Sequence, residues 1–254
     1  MILISSNSFS SMALSDVLDA ITPHFRGWEI TAEGTLRLPD IEKELSEYLA
    51  SHELLIQIHA PLSDVNIAAA SPPVHDAVVK EMVLAMESAS NLGVEVMTLH
   101  PGFRTPLYRR PEQVRQRTHE TLKILSKEAN DRGITLALEN MPLTFITVGR
   151  EPWELDEMSE SLEIKWCFDV GHANTTGTMD DFLRRKDRFA NIHIHDNMGK
   201  EDEHLPLGEG NIDWKRVLGA LSDYHGNFVL EMERGVPDAL KSLEYLDQAF
   251  PDLL

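Results

Sequence analysis

The sequence predicts a (β/α)8 TIM barrel, formed as a single domain by residues 1–254. Eight short apolar runs alternate with eight amphipathic stretches along the 254 residues, and no change of composition divides the chain. Such alternation favours parallel strands linked by helices, and a closed barrel of this length is ordinary. An open doubly wound sheet is the alternative. It is disfavoured because Ser5-Ser6-Asn7-Ser8 stands where a glycine-rich phosphate loop would follow the first strand.

The predicted strands and helices follow one another in strict order. The strand segments are short, apolar and rich in β-branched residues, whereas the helical segments repeat apolar residues at spacings of three and four. The predicted strands are residues 2–6, 28–31, 54–59, 94–100, 134–139, 164–169, 192–195 and 228–231. The predicted helices lie near residues 15–22, 40–51, 74–92, 112–132, 152–160, 178–186, 213–221 and 237–248.

Several helix boundaries carry local signals of their own. Asp40, Thr178 and Asp213 each precede a helical pattern and are predicted N-caps. Gly93 and Gly133 lie just past helices, at positions where the backbone commonly needs a positive φ. These signals divide the chain at the places that the alternation of strands and helices requires.

Composition and charge limit the class of protein. Apolar residues form 42% and charged residues 26% of the chain, as in soluble globular proteins, and no apolar stretch is long enough to span a membrane. The N-terminus is typical of a first strand and not of a signal peptide, and the single cysteine, Cys167, lies in an apolar strand. A reducing cytoplasm is therefore expected. A net charge of −19 argues against a main affinity for nucleic acid, although a local basic patch stays open as an alternative.

Acids and imidazoles end every predicted strand from the third onward. Taken in order, these strand-end residues are His59, His100, Glu139, Asp169, His193 and Glu231. Three more follow in loops, namely His172, Asp202 and His204. The carboxyl ends of barrel strands meet at one face, where the active sites of TIM barrels lie. Because carboxylates and neutral imidazoles bind divalent metals, the nine residues predict a metal centre.

Each of these residues also has an ordinary explanation. A single histidine near a strand end is more often hydrogen-bonded or at the surface than a metal ligand, and a carboxylate there is often a helix N-cap. Nine independent explanations on one rim are a weaker account than one site. On the seventh strand, His195 points to the same side as His193, which leaves the ligand open between them. We place His193 in the set because Asp196 follows three residues later.

Seven short motifs carry the predicted site residues. They are Ile58-His-Ala-Pro61, Leu99-His-Pro-Gly102, Leu138-Glu-Asn140, Phe168-Asp-Val-Gly-His172, His193-Ile-His-Asp196, Asp202-Glu-His-Leu-Pro-Leu-Gly-Glu-Gly210 and Leu230-Glu231. Together they resemble the xylose-isomerase-like TIM-barrel superfamily, which includes sugar-phosphate isomerases and epimerases and the endonuclease IV group. The resemblance covers essentially the whole chain.

The resemblance implies two different ligand sets. In endonuclease IV, nine residues of these types hold three zinc ions, and all nine positions are matched here. In the sugar 3-epimerases a smaller set binds one metal, usually manganese or a related ion. In this sequence that smaller set corresponds to Glu139, Asp169, His193 and Glu231. The implied cofactor is thus a divalent metal, zinc or manganese, with one to three ions.

The resemblance also implies two activities. The first is a metal-dependent sugar or sugar-phosphate isomerase or epimerase, in which Glu139 and Glu231 are the catalytic residues and exchange a proton at the carbon next to a carbonyl. The alternative is a multinuclear zinc phosphodiester hydrolase of the endonuclease IV type, an abasic-site endonuclease. A barrel that only binds ligand is a third alternative, against which the two intact carboxylates argue.

We favour a small sugar or sugar phosphate as the partner. A DNA endonuclease needs a wide basic groove, whereas this chain is acidic and its first βα loop, residues 7–13, is short and uncharged. The basic residues available to hold a phosphate are Arg104, Arg150, Lys200 and Arg234. The choice among them is left open, as is the oligomeric state, with a homo-oligomer among the alternatives.

Overall fold

The computed structural model describes residues 1–5, 7–108 and 110–250, and its eight parallel strands form a closed barrel. Each strand pairs with the next, and β8 pairs with β1 to close the ring. The strands are β1 (Ile2–Ser5), β2 (Gly27–Thr31), β3 (Leu55–His59), β4 (Val96–Leu99), β5 (Thr135–Glu139), β6 (Lys165–Asp169), β7 (Phe189–Ile194) and β8 (Asn227–Leu230). The predicted TIM barrel is therefore confirmed.

The helices lie between the strands in sequence. They are α1 (Leu14–Ile21), α2 (Leu38–Leu49), α3 (Pro72–Asn91), α4 (Pro111–Asn130), α5 (Pro152–Met158), α6 (Val170–Thr176), α7 (Met179–Leu183), α8 (Trp214–Ala220) and α9 (Val236–Ala249). The sequence did not predict α6, which begins directly after β6 where a loop was expected. Among the described residues, none of these helices has both the length and the apolar character that crossing a membrane would need.

Most of the predicted boundary signals are present. Gly93 and Gly133 have φ values of 75° and 71°, and the Asp213 carboxylate accepts a hydrogen bond from the backbone N–H of Arg216. Thr178 occupies an N-cap position, but its side chain makes no capping hydrogen bond. Ser6, which the sequence assigned to the first strand, lies outside the described residues.

The predicted N-cap at Asp40 is wrong. Helix α2 begins two residues earlier, at Leu38, with Arg37 in the cap position. The physical reason is Pro39, since a proline ring fixes φ at a helical value and its missing N–H is not needed in the first turn. Asp40 instead lies in that first turn, where its charge is favourable at the helix N-terminus, and its Oδ1 is 2.9 Å from Arg37 Nη1.

The barrel interior is polar just below the site. The buried Glu29 of β2 accepts hydrogen bonds from Gln57 Nε2 at 2.6 Å, Asn191 Nδ2 at 3.3 Å and Thr98 Oγ1 at 3.4 Å. These partners belong to β3, β7 and β4, so the contacts cross the inside of the ring. The large apolar side chains, Trp28 and Phe168 among them, belong to the main hydrophobic core instead. The interior is therefore a hydrogen-bonded floor beneath the carboxyl ends of the strands.

Candidate metal centre

The nine predicted residues lie together at the carboxyl ends of the strands. They form three clusters, and within each cluster the potential ligand atoms lie within 4.8 Å of one another. The β3–β5 cluster contains His59, His100 and Glu139. The central cluster contains Glu139, Asp169, His193 and Glu231. The outer cluster contains His172, Asp202 and His204, together with His195.

The β3–β5 cluster is built around one oxygen of Glu139. His59 Nε2 lies 3.2 Å from Glu139 Oε2, and His100 Nε2 lies 3.3 Å from the same oxygen. His59 donates its Nδ1–H to the carbonyl of Ala60 at 2.8 Å. Glu139 also belongs to the central cluster, so the two clusters are continuous through its carboxylate.

The central cluster surrounds Nδ1 of the fully buried His193. This atom lies 3.4 Å from Glu139 Oε1, 3.4 Å from Glu231 Oε2 and 3.9 Å from Asp169 Oδ2. The other ring nitrogen, Nε2, lies 3.0 Å from Glu29 Oε1. A carboxylate behind a histidine fixes the proton on the nitrogen that faces it, which leaves Nδ1 free to bind an ion.

The outer cluster is centred on Asp202. His172 Nε2 lies 3.0 Å and His204 Nε2 3.2 Å from Asp202 Oδ2. The other ring nitrogens donate to backbone carbonyls, His172 Nδ1 to Asn140 at 2.7 Å and His204 Nδ1 to Glu231 at 3.0 Å. Both rings are thus held in the orientation that points Nε2 at the carboxylate.

These contacts fit a divalent metal. A carbonyl can only accept, so His59, His172 and His204 carry a proton on Nδ1, and each Nε2 lone pair then faces a carboxylate at 3.0–3.2 Å. Two electron-rich atoms at that distance need a cation between them, either a proton or a metal ion. His193 Nδ1 and Asp169 Oδ2 are buried and make no hydrogen bond. Mixed nitrogen and oxygen donors suit zinc or manganese.

The electrostatics of the rim favour cations. Burial alone would lower the pKa of His59, but its hydrogen bond to Glu139 and the nearby carboxylates raise that pKa to about 9. Burial is likewise overcome at His204, where the hydrogen bond to Asp202 raises the pKa to about 9. The reverse holds for Glu231 and Asp202: burial would raise each carboxyl pKa, but the neighbouring histidines hold both below their usual range. The rim therefore keeps ionised carboxylates that attract positive charge.

Sequence reasoning missed two residues at this site. Glu29 was not singled out, although its alternation with the apolar Trp28 and Ile30 places it on the inner face of β2. Cys167 was treated only as a core residue, yet its sulfur lies within 4.8 Å of the potential ligand atoms of Glu139 and His193. Burial raises the pKa of the Cys167 thiol well above its usual range. The sequence left open whether His193 or His195 is the metal ligand on the seventh strand. Both lie at the site, His193 in the central cluster and His195 in the outer cluster.

A cavity of about 500 Å³ opens beside the outer cluster. Its lining residues are Ser8, Glu201, Asp202, Glu203, His204, Leu205 and Glu233. Four of these side chains are carboxylates, so the surface beside the outer cluster is acidic. A larger cavity of about 1010 Å³ includes Ile164 and Lys165 at the start of β6, and none of the nine site residues lines it.

Comparison with known proteins agrees with the fold and extends it to a family. The family model described as xylose isomerase-like TIM barrel matches residues 19–249. An uncharacterized protein of Methanocaldococcus jannaschii is 35% identical and covers 96% of this chain and 87% of its own length.

Two solved structures show the range of the similarity. The crystal structure of a D-tagatose 3-epimerase-like protein is 34% identical, with a TM-score of 0.90 over 97% of this chain and 96% of that one. Endonuclease IV from Thermus thermophilus is 24% identical, with a TM-score of 0.67 over 98% of each chain, and at that identity shows likeness of fold alone. By its sequence match over residues 19–249, this chain belongs to the xylose isomerase-like TIM-barrel family.

Proposed function

We propose that this chain is a divalent-metal-dependent epimerase or isomerase that moves a proton at the carbon next to a sugar carbonyl. The observation that carries the proposal is the pairing of Glu139 and Glu231 in the central cluster. One carboxylate ends β5 and the other follows β8, and both lie 3.4 Å from the same atom, Nδ1 of His193. A substrate bound to a metal ion at His193 Nδ1 would contact both carboxylates, and an exchange of protons at one carbon requires two such groups.

The residues of the central cluster divide into binding and proton-transfer groups. Asp169 and His193 would hold the ion, with His193 oriented by Glu29. A bound divalent ion supplies Lewis-acid polarisation of the carbonyl and the adjacent hydroxyl, which makes the neighbouring C–H more acidic. One of Glu139 and Glu231 accepts the proton from that carbon, and the other donates a proton to it.

The acidic cavity favours an uncharged sugar over a sugar phosphate. Glu201, Glu203 and Glu233 at its wall would repel a phosphate group. Two of the basic residues considered as phosphate ligands have other contacts. Arg104 Nη1 donates to the Phe145 carbonyl at 3.3 Å, and Arg234 Nε lies 4.0 Å from Asp238 Oδ2. The similarity to a D-tagatose 3-epimerase-like protein over nearly the whole chain supports a sugar substrate as well.

Solvent isotope exchange tests the proposal. Metal-loaded protein is incubated with candidate ketoses in D₂O, and NMR follows deuterium at the carbon next to the carbonyl. The wild type should label a true substrate, and Glu231→Gln should slow labelling by about 10²–10⁴-fold because the amide cannot act as a base. Glu244→Gln, an exposed change on α9 outside the cavity and the clusters, is the matched control. Epimerisation or isomerisation without solvent label would contradict proton transfer by this pair.

Phosphate-ester hydrolysis is a second candidate, favoured by the β3–β5 cluster, which a mononuclear epimerase does not need. Several ions that share carboxylates can activate a water and stabilise a leaving oxygen. His59→Ala and His100→Ala should then lower the metal-to-protein ratio, whereas in a mononuclear enzyme they should leave one ion bound. Metal-dependent cleavage of abasic DNA or of a small phosphodiester, without exchange on any ketose, would favour the hydrolase.

A further inference from the structure

We infer that His195 is a fourth protein ligand of the outer cluster, which makes this cluster a closed metal site that holds the loop after β7. The cluster would then bind an ion through His172, His195, Asp202 and His204, with no position left for substrate. This inference is independent of the proposed function, because it concerns how an ion is held and not what the central cluster does.

The ring of His195 is buried without a hydrogen-bond partner on either nitrogen. Its side chain is fully buried, and both Nδ1 and Nε2 lack hydrogen bonds. Nε2 nevertheless lies 3.2 Å from Asp169 Oδ1 and 3.6 Å from Asp202 Oδ1, close to both carboxylates without a hydrogen bond to either. An unsatisfied buried polar group costs free energy, so a buried imidazole with two unpaired nitrogens needs an explanation. An ion beside Nε2 would supply a partner for that nitrogen.

The position of the His195 ring is tightly fixed. It stacks on His204, with ring centroids 3.9 Å apart and planes 10° apart. On its other side lies Gly171, where an added Cβ would overlap the His195 ring. His204 has a positive φ of 48°, an uncommon conformation for a residue other than glycine. The backbone on both sides is thus shaped around the two stacked rings.

The distances between the donor atoms suit one tetrahedral ion. Ligands bound to zinc at 2.0–2.1 Å lie about 3.3 Å apart when they are arranged as a tetrahedron. His172 Nε2 and His204 Nε2 lie 3.0 Å and 3.2 Å from Asp202 Oδ2, and His195 Nε2 lies 3.6 Å from the other carboxylate oxygen, Oδ1. All four potential ligand atoms lie within 4.8 Å of one another. Three imidazoles and one carboxylate therefore surround a volume of the right size.

A closed site has a structural role. Zinc sites with four protein ligands are structural, whereas catalytic zinc sites keep one position open for water or substrate. Here the ligands come from helix α6, from the residue after β7, and from the loop that follows it. An ion would tie that loop, which also lines the acidic cavity, to the barrel rim. The outer ion would accordingly shape the cavity without taking part in chemistry.

Metal content and cobalt spectroscopy test the assignment. Protein is loaded with Zn²⁺ or Co²⁺, dialysed and analysed for metal per chain, and the visible absorption of the cobalt form is recorded. His195→Ala should lose one ion per chain, with loss of the tetrahedral Co²⁺ bands that this ion contributes. Added imidazole should restore both by filling the space left by the side chain. His52→Ala, an exposed histidine stacked on Tyr48, is the control and should change neither.

Double variants separate the outer site from the alternative that His195 only positions Asp169. His195→Ala combined with Asp202→Ala should lose no more metal than Asp202→Ala alone, because both residues serve the same ion. Additional loss in the double variant, or unchanged metal and spectrum in His195→Ala, would overturn the assignment. If circular dichroism shows that His195→Ala does not fold, the metal content and cobalt spectrum of His195→Asn are measured instead. A fully loaded His195→Asn protein with an unchanged cobalt spectrum would also reject it.

Discussion

At the scale of single residues, the site depends on which ring nitrogen of each histidine carries the proton. Backbone carbonyls fix this for His59, His172 and His204, and a carboxylate fixes it for His193. In each case the nitrogen that is left faces another carboxylate. The rings are therefore already oriented as metal ligands would need to be, which would reduce the reorganisation that binding an ion requires.

Glu29 gives the sharpest test of this arrangement. In Glu29→Gln the amide can donate to His193 Nε2, which moves the ring proton to Nδ1 and directs it at the central cluster. We expect the Zn²⁺ affinity of that cluster to fall by about 10–100-fold, as measured by competition with a chromophoric chelator. The control is Glu33→Gln, at a carboxylate that lies outside the central cluster and accepts hydrogen bonds from Ser63. This change should leave the affinity unchanged. Equal affinities in the Glu29→Gln and wild-type proteins would contradict the role of Glu29.

The residues of the candidate site could be predicted from the sequence more readily than their grouping. Strand-end acids and histidines are visible because each follows an apolar run, as His59 and Glu139 do. Glu29 could not be singled out in the same way, because its partners Gln57, Asn191 and His193 come from β3 and β7, and only closure of the ring brings them together. Contacts across a barrel leave no local signal beyond the period-two pattern.

At the scale of structural elements, the loop between β7 and α8 is organised by Asp196. Its carboxylate accepts hydrogen bonds from the N–H groups of Gly208 and Ile212 and from Trp214 Nε1, at 2.9, 3.3 and 2.9 Å. The backbone of Asp196 also pairs with that of Leu205 in an antiparallel bridge. The sequence used Asp196 only as a marker for His193, because a loop held by one buried carboxylate has no periodic pattern. The loop carries Asp202 and His204, so Asp196 sets the position of half of the outer cluster.

Asp196→Ala should therefore destabilise the chain and loosen this loop. It leaves several buried donors without an acceptor, and we expect the free energy of unfolding to fall by roughly 3 kcal/mol. Urea denaturation measures this loss, and limited proteolysis should show new cleavage within residues 197–212. Asp213→Ala removes only the N-cap of α8 and should cost about 1 kcal/mol. Similar losses in the two variants would show that Asp196 does not organise the loop.

At the scale of the whole molecule, barrel closure and net charge together determine which substrates can approach the site. Six successive strands contribute to one rim, and the cavity beside it is lined by carboxylates. The overall charge of −19 has the same sign as that local surface. The fold could be predicted from eight strand patterns and their spacing, whereas the acidic cavity depends on where loops from different strands meet.

The charge of the molecule predicts weak binding to nucleic acid. At physiological salt, affinity for undamaged duplex should be weaker than the roughly 10⁻⁴–10⁻⁶ M typical of non-specific DNA binding, because few phosphates can be neutralised. Fluorescence anisotropy with a labelled duplex measures it, with an abasic duplex of the same sequence as the comparison. Submicromolar binding to the abasic duplex, with metal-dependent strand scission, would reverse the preference for a sugar substrate.

The central claim is that the rim holds a divalent metal through the central cluster, and elemental analysis tests it most directly. Asp169→Asn is the informative variant, since its amide oxygen can still cap α6 through the N–H of His172 while the anionic ligand is lost. Wild-type protein purified without chelator should contain at least one zinc or manganese ion per chain and should gain thermal stability when metal is added. Asp169→Asn should lose the central ion and that gain in stability. A wild type without bound metal, or an Asp169→Asn protein with an unchanged metal content, would contradict the account.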